Sequence, residues 1–145
     1  MTTCVFCSIV ARQEPASFVY EDDLVAAFMT LHPTAPGECL VIPKAHVDHF
    51  TDVPDEVAQH IMLIAQRIGC GMREVFPLER VGYLVHGFGV AHAHLVIVPQ
   101  QGPNHITSDR LARVVDGKVV FDFSLLSRAE RSVLDENARK LSDVL

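Results

Sequence analysis

The spacing of hydrophobic and polar positions changes twice along the chain. Residues 18–21 (FVYE) and 24–30 (LVAAFMT) are short β-prone runs on either side of Asp22-Asp23, the signal of a hairpin. Pro33, Pro36 and Gly37 then punctuate a loop, and the apolar run Cys39-Leu-Val-Ile42 ends at Pro43, so three strands are expected before residue 45. From Asp55 the period becomes helical: Val57, Ile61, Ile64, Ile68 and Met72 share one face, with Asp52 as the expected N-cap and Pro54 and Asp55 in the first turn. Gly69 and Gly71 near the end of this helix each cost about 1 kcal/mol relative to alanine, which points to a close packing contact or an early helix end. Two more strands are expected near 81–86 and 90–98, separated by the short Gly87-Phe88-Gly89 turn. The tail predicts a short strand at 119–123 and a helix after Ser127, with Val133, Leu134, Ala138 and Leu141 on one face. Strands in a run with one long helix between them predict an α+β fold: an antiparallel sheet of about five strands packed against that helix, with a C-terminal helix.

Length and composition narrow the picture. At 145 residues the chain is expected to be one domain, 1–145, and no stretch approaches the roughly 18 consecutive apolar residues of a membrane span. The start, MTTCVFCSIVARQEP, has no basic segment followed by a long apolar one, so the cytoplasm is the expected compartment. A net charge of -6 without a Lys/Arg cluster argues against nucleic acid as a partner. In a reducing compartment the Cys4-x-x-Cys7 pair suggests metal or redox chemistry, redox less so because the pair neither follows a strand nor opens a helix. Cys39 and Cys70, alone in apolar surroundings, read as core.

The run Val90-Ala-His-Ala-His-Leu-Val-Ile-Val-Pro99 carries the chemistry. In a strand, His92, His94, Val96 and Val98 would project from one face and Ala93, Leu95 and Ile97 from the other, so two imidazoles would stand side by side. His92-Ala-His94-Leu-Val96-Ile-Val resembles the His-φ-His-φ-His-φ-φ signature of the histidine-triad (HIT) family, apart from its third histidine. The resemblance extends to Cys4-Val-Phe-Cys7-Ser-Ile, to Val19-Tyr-Glu-Asp-Asp-Leu, and to the stretch Pro33-Thr-Ala-Pro-Gly-Glu-Cys-Leu-Val-Ile-Pro-Lys-Ala-His46. These motifs cover residues 4–99, while 100–145 match loosely and read as a C-terminal extension.

The resemblance implies a HIT-like fold and a hydrolase or nucleotidyl transferase acting on the α-phosphate of a nucleoside phosphate conjugate. His94 is the implied nucleophile: neutral imidazole attacks phosphorus and later leaves, provided that its Nδ1–H donates to a backbone carbonyl so that Nε2 presents a lone pair. It further implies a structural zinc on Cys4, Cys7, His46 and His92, with His49 as the alternate to His46, and a homodimer formed through the long helix and a strand. Phe28, Thr30, Leu31 and His92 are the implied nucleotide contacts.

The chain departs from the family at three places. Val96 replaces the third histidine, which offers a hydrogen bond near the scissile phosphate, and restoring it is expected to bring a modest gain in rate. The glycine-rich loop that contacts phosphate is reduced to Gly87-Phe88-Gly89. Thr30 stands where Asp or Asn clasps the ribose, offering one hydroxyl. These losses keep open a second reading, a scaffold that holds nucleotide or zinc with little turnover. His32, His60, His86 and His105 are unassigned; His86, just before the short turn, is the one placed to approach the pocket and is expected to stay outside it.

Overall fold

The computed structural model describes residues 4–105 and 111–145. Helix α1 (Val5–Val10) leads into strands β1 (Phe18–Glu21), β2 (Val25–Met29) and β3 (Cys39–Pro43), followed by helix α2 (Asp55–Val75). Strands β4 (Arg80–Leu84) and β5 (Leu95–Gln100) come next, then a hairpin of β6 (Ala112–Val115) and β7 (Lys118–Phe121), and finally helix α3 (Arg131–Ser142). The main sheet has five strands in the order β1-β2-β3-β5-β4, every neighbouring pair antiparallel. This is the α+β architecture that the periodicities predict.

Strands β2 and β3 are buried throughout, which explains why neither alternates in sequence. One face of the sheet, with Val25, Ala27, Cys39, Val41, Leu95 and Ile97, packs on Ile61, Ile64, Ile68 and Met72 of α2 and on Leu134, Ala138 and Leu141 of α3. The other face, with Ala26, Phe28, Leu40 and Ile42, is covered by Phe6 and Ile9 of α1. The glycines of α2 mark where the helix comes close to its neighbours: a Cβ on Gly69 would collide with the Tyr83 hydroxyl, and one on Gly71 would lie 2.9 Å from Val144. Close packing, not an early helix end, accounts for both.

Several local expectations are corrected. The N-cap of α2 is Pro54 and makes no side-chain cap; Asp52 belongs to a 3-10 turn, and Asp55 and Glu56 in the first turn favour the helix dipole instead. Cys4 and Cys7 do open a helix, α1, which at six residues is too short to register as a periodic pattern. Strand β6 is an addition, and Cys70 is exposed, not core. Val133 is also exposed, and Asn137 takes the buried place on α3. Among the described residues, no helix is long and apolar enough to cross a membrane.

Candidate functional site

Residues 90–94 do not form the expected strand: β5 begins at Leu95, and His92 and His94 lie in the irregular segment leading into it. The Ala93 N–H donates to the Val47 carbonyl at 2.6 Å, tying this segment to the chain beyond β3. The two imidazoles therefore point to different places, where an alternating strand would have aligned them.

His92 is fully buried, and its Nδ1 faces the Cys4 sulfur at 3.4 Å, the Cys7 sulfur at 3.6 Å and His46 Nδ1 at 3.3 Å. Cys7 and His46 close the group at 3.3 Å, and the four ligand atoms lie within 4.8 Å of one another. A tetrahedral zinc bound to sulfur at about 2.3 Å and to nitrogen at about 2.05 Å has edges of about 3.4 Å between nitrogens and about 3.6 Å from nitrogen to sulfur. The donor set and its spacing fit such an ion. The other nitrogen of His92, Nε2–H, donates to the Pro43 carbonyl at 2.8 Å, which fixes the tautomer and leaves Nδ1 as a ligand. Burial lowers the His92 pKa against the opposing pull of the Pro43 carbonyl, which favours the neutral ring. Burial and the adjacent Cys4 sulfur raise the Cys7 thiol, a direction that a cation bound between them would reverse. Both ring nitrogens of His92, expected also to contact nucleotide, face protein groups: the Pro43 carbonyl and the cysteine–histidine cluster. His49 lies outside the cluster.

His94 turns the other way. Its Nδ1 lies 2.7 Å from the His92 carbonyl, which can only accept, so Nδ1 carries the proton and Nε2 the lone pair. The Phe6 ring stands edge-on to both imidazoles, at 5.6 Å from His94 and 5.7 Å from His92. His94 opens onto a small cleft of about 40 Å³ whose walls include Asp48, His49, Phe50, His86 and Val90. The presence of His86 in this wall corrects the expectation that it stays outside.

The three expected base and ribose contacts are not on one surface. Phe28 is on the His94 side, but its ring is buried edge-on between Phe6 at 5.5 Å and Phe18 at 5.8 Å, so no face of it is bare for a base. Leu31 packs into the opposite, α2-side core, and its carbonyl accepts from the Ala129 N–H at 2.9 Å. Thr30 is half-buried, and its N–H meets the Glu38 carbonyl at 3.2 Å. Val96 packs against the apolar cluster that holds Phe6, Phe28 and Leu40, an environment that replaces the polar contact of a third histidine. Sequence reasoning missed Glu38, a buried carboxyl raised by desolvation and steadied by the Thr34 N–H and hydroxyl. His105 donates to that hydroxyl from Nε2 at 2.8 Å, closing the loop that follows Thr30. A glutamate between Gly37 and an apolar run was the one available signal of a carboxyl carried into the sheet.

Comparison with known proteins identifies the family. Residues 11–103 match the HIT domain family. The protein named "Protein hit" of Bacillus subtilis is 33% identical over 104 residues, covering 68% of this chain and 72% of the relative. The adenosine 5'-monophosphoramidase HNT1 of Saccharomyces cerevisiae is 33% identical over 100 residues, covering 68% of this chain and 63% of the yeast protein. A Zn-bound histidine triad family protein from Mycobacterium smegmatis superposes with a TM-score of 0.73 at 27% identity, over 98% of this chain and 92% of that one. With most of its length matched and its His92–His94 segment set between the two N-terminal cysteines and the cleft, the chain belongs to the histidine triad family.

Proposed function

We propose that the protein hydrolyses, or transfers the nucleotidyl group of, a nucleoside phosphate conjugate of the phosphoramidate or phosphoric-anhydride class, with His94 as nucleophile. The observation that carries this reading is the 2.7 Å contact of His94 Nδ1 with the His92 carbonyl, which turns the Nε2 lone pair to the substrate side. Nε2 attacks the α-phosphorus; the N–P bond forms as the bond to the leaving group breaks, and that group departs with the electron pair, an amine taking up a proton from solvent as it leaves. Water then adds to phosphorus and gives up its proton to solvent, and the imidazole leaves with its lone pair restored. The phosphoramidases among the relatives, from Saccharomyces cerevisiae and Schizosaccharomyces pombe, support the substrate class.

Cys4, Cys7, His46 and His92 would hold zinc, which would tie α1 to the end of β3 and to the segment before β5 and supply no chemistry at phosphorus. Thr30, half-buried at the end of β2, offers its hydroxyl to a ribose. Exposed Met62 and Leu63 on α2 and Tyr83, Leu84 and Val85 at the β4 edge support a homodimer, and the net charge of -6 favours a small nucleotide over nucleic acid. Four free cysteines suit a cytoplasmic setting.

Adenosine 5'-phosphoramidate mixed with the protein and quenched in acid-free denaturant tests this reading. Intact mass spectrometry is expected to find a nucleotidyl adduct mapping to His94, absent from His94→Ala. Neither adduct nor AMP formation in the wild type would overturn it in favour of a binding scaffold.

A further inference from the structure

We propose that His86 and His49, the latter left outside the cysteine–histidine cluster, form the phosphate-binding side of the cleft in front of His94; this rests on the nucleotide reading above. The cleft measures about 40 Å³, with both imidazoles in its wall beside His94. One water-sized position takes roughly 10–15 Å³, so the space admits about three, the scale of a phosphoryl group and too small for a ribose or a base.

A phosphoryl group there needs N–H or O–H donors on its non-bridging oxygens. His94 supplies none, because its Nδ1–H is bonded to the His92 carbonyl and Nε2 must keep its lone pair to attack. His92 is held by Pro43 and by the cysteines, and Val96 is packed among apolar side chains. The side-chain donors left in the cleft wall are the rings of His49 and His86. Each carries at least one N–H in either protonation state, so the function does not depend on their charge. Both rings are exposed and adjustable: His86 makes a tilted contact with Phe88 at 6.0 Å, and His49 Nε2 lies 3.9 Å from Asp48, too far for a hydrogen bond. Asp48, a carboxylate in the same wall, repels a phosphate, so the two imidazoles have to outweigh it. The turn at Phe50–Asp52 holds the backbone carbonyl of His49, which accepts from the Asp52 N–H at 2.9 Å. His86 comes from the chain just before the Gly87-Phe88-Gly89 turn, so the shortened loop is flanked by a donor where a longer one would have used backbone and hydroxyl groups.

Affinities of the wild type, His49→Ala and His86→Ala for AMP and for adenosine, measured at one pH, test the assignment. Each alanine variant is expected to lose about five- to tenfold in AMP affinity and none for adenosine, and His49→Asn and His86→Asn, which keep an N–H donor, are expected to recover part of the loss. AMP affinity unchanged in both alanine variants would overturn the proposal, as would wild-type protein that binds AMP no better than adenosine. Inorganic phosphate separates this proposal from the catalytic one. Phosphate is expected to shift the ring signals of His49 and His86 in NMR spectra even if no adduct forms on His94. Unmoved signals overturn the phosphate site whatever the turnover.

Discussion

The main-chain carbonyl of His92 accepts a hydrogen bond from His94 Nδ1 at 2.7 Å, while the His92 ring sits among Cys4, Cys7 and His46. One residue thus joins the cysteine–histidine cluster through its side chain and orients the His94 imidazole through its backbone. The two histidines should therefore fail differently. His94→Ala is expected to lower phosphoramidate hydrolysis by about a thousandfold or more with little change in urea midpoint, because the ring is only half-buried. His92→Ala removes a fully buried side chain and is expected to cost about 2–4 kcal/mol of stability, with activity falling as a secondary effect. Equal stability in the two variants would contradict this division.

Cys7 touches both histidines of the cluster, at 3.3 and 3.6 Å, so Cys7→Ser is expected to reduce zinc from one per chain to a small fraction by elemental analysis. Structural zinc contributes on the order of 10 kcal/mol in isolated finger peptides, and in a chain with its own core the loss is expected to be several kcal/mol, read as a lowered Tm. Wild-type protein that is folded, free of zinc and indifferent to a chelator would contradict the assignment.

Val96 packs beside Phe6, Phe28 and Leu40, and its β-sheet partners are Leu40 and Leu84. A histidine there would enter an apolar cluster before it met a phosphate. The modest gain expected from the sequence pattern is therefore replaced by a different outcome for Val96→His: a loss of about 1–3 kcal/mol from an unpaired imidazole and no faster hydrolysis of a phosphoramidate. A stable variant with a raised rate would show that the strand can re-aim this side chain.

Asp22 closes the β1–β2 turn. One of its oxygens accepts from the Leu24 and Val25 N–H groups at 2.9 Å, the other from the Tyr20 hydroxyl at 2.8 Å and from His60 Nε2 on α2. Burial alone raises a carboxyl, but the His60 contact, with the two backbone N–H groups and Tyr20, outweighs it and holds Asp22 well below the usual range. A depressed folded-state pKa means that the stabilisation is complete above the unfolded value of about 3.9 and is lost as pH falls below it. Asp22→Asn is expected to be about 1–2 kcal/mol less stable at pH 7 in urea titrations and to lose less further stability than wild type between pH 6 and pH 3. Parallel losses in the two proteins would remove Asp22 from the acid response.

The local sequence by itself determined the sheet strands before residue 45, the long helix and the C-terminal helix. Apolar runs bounded by Pro and Gly, and the 3.6-residue repeat from Val57 to Met72, are short-range properties that any fold must satisfy. It also held the donor types of the cysteine–histidine cluster, because ligand chemistry is fixed by residue identity. Only the tertiary structure decided the rest. Six-residue α1 is too short to form from its own hydrogen bonds and is held by Phe6 and Ile9 packing on β2 and β3. The segment 90–94 reads as a strand by composition, but the Ala93–Val47 and His92–Pro43 hydrogen bonds draw it out of the sheet and aim His92 and His94 apart. Phe28 and Leu31, three residues apart, end on opposite sides of the sheet, a consequence of the pleat combined with layers packed on both faces. His49 and His86 share a cleft although 37 positions separate them in the chain, because the loops that carry them are positioned by β3, β4 and β5. Periodicity records which face of an element is buried, and long-range packing determines what that face meets.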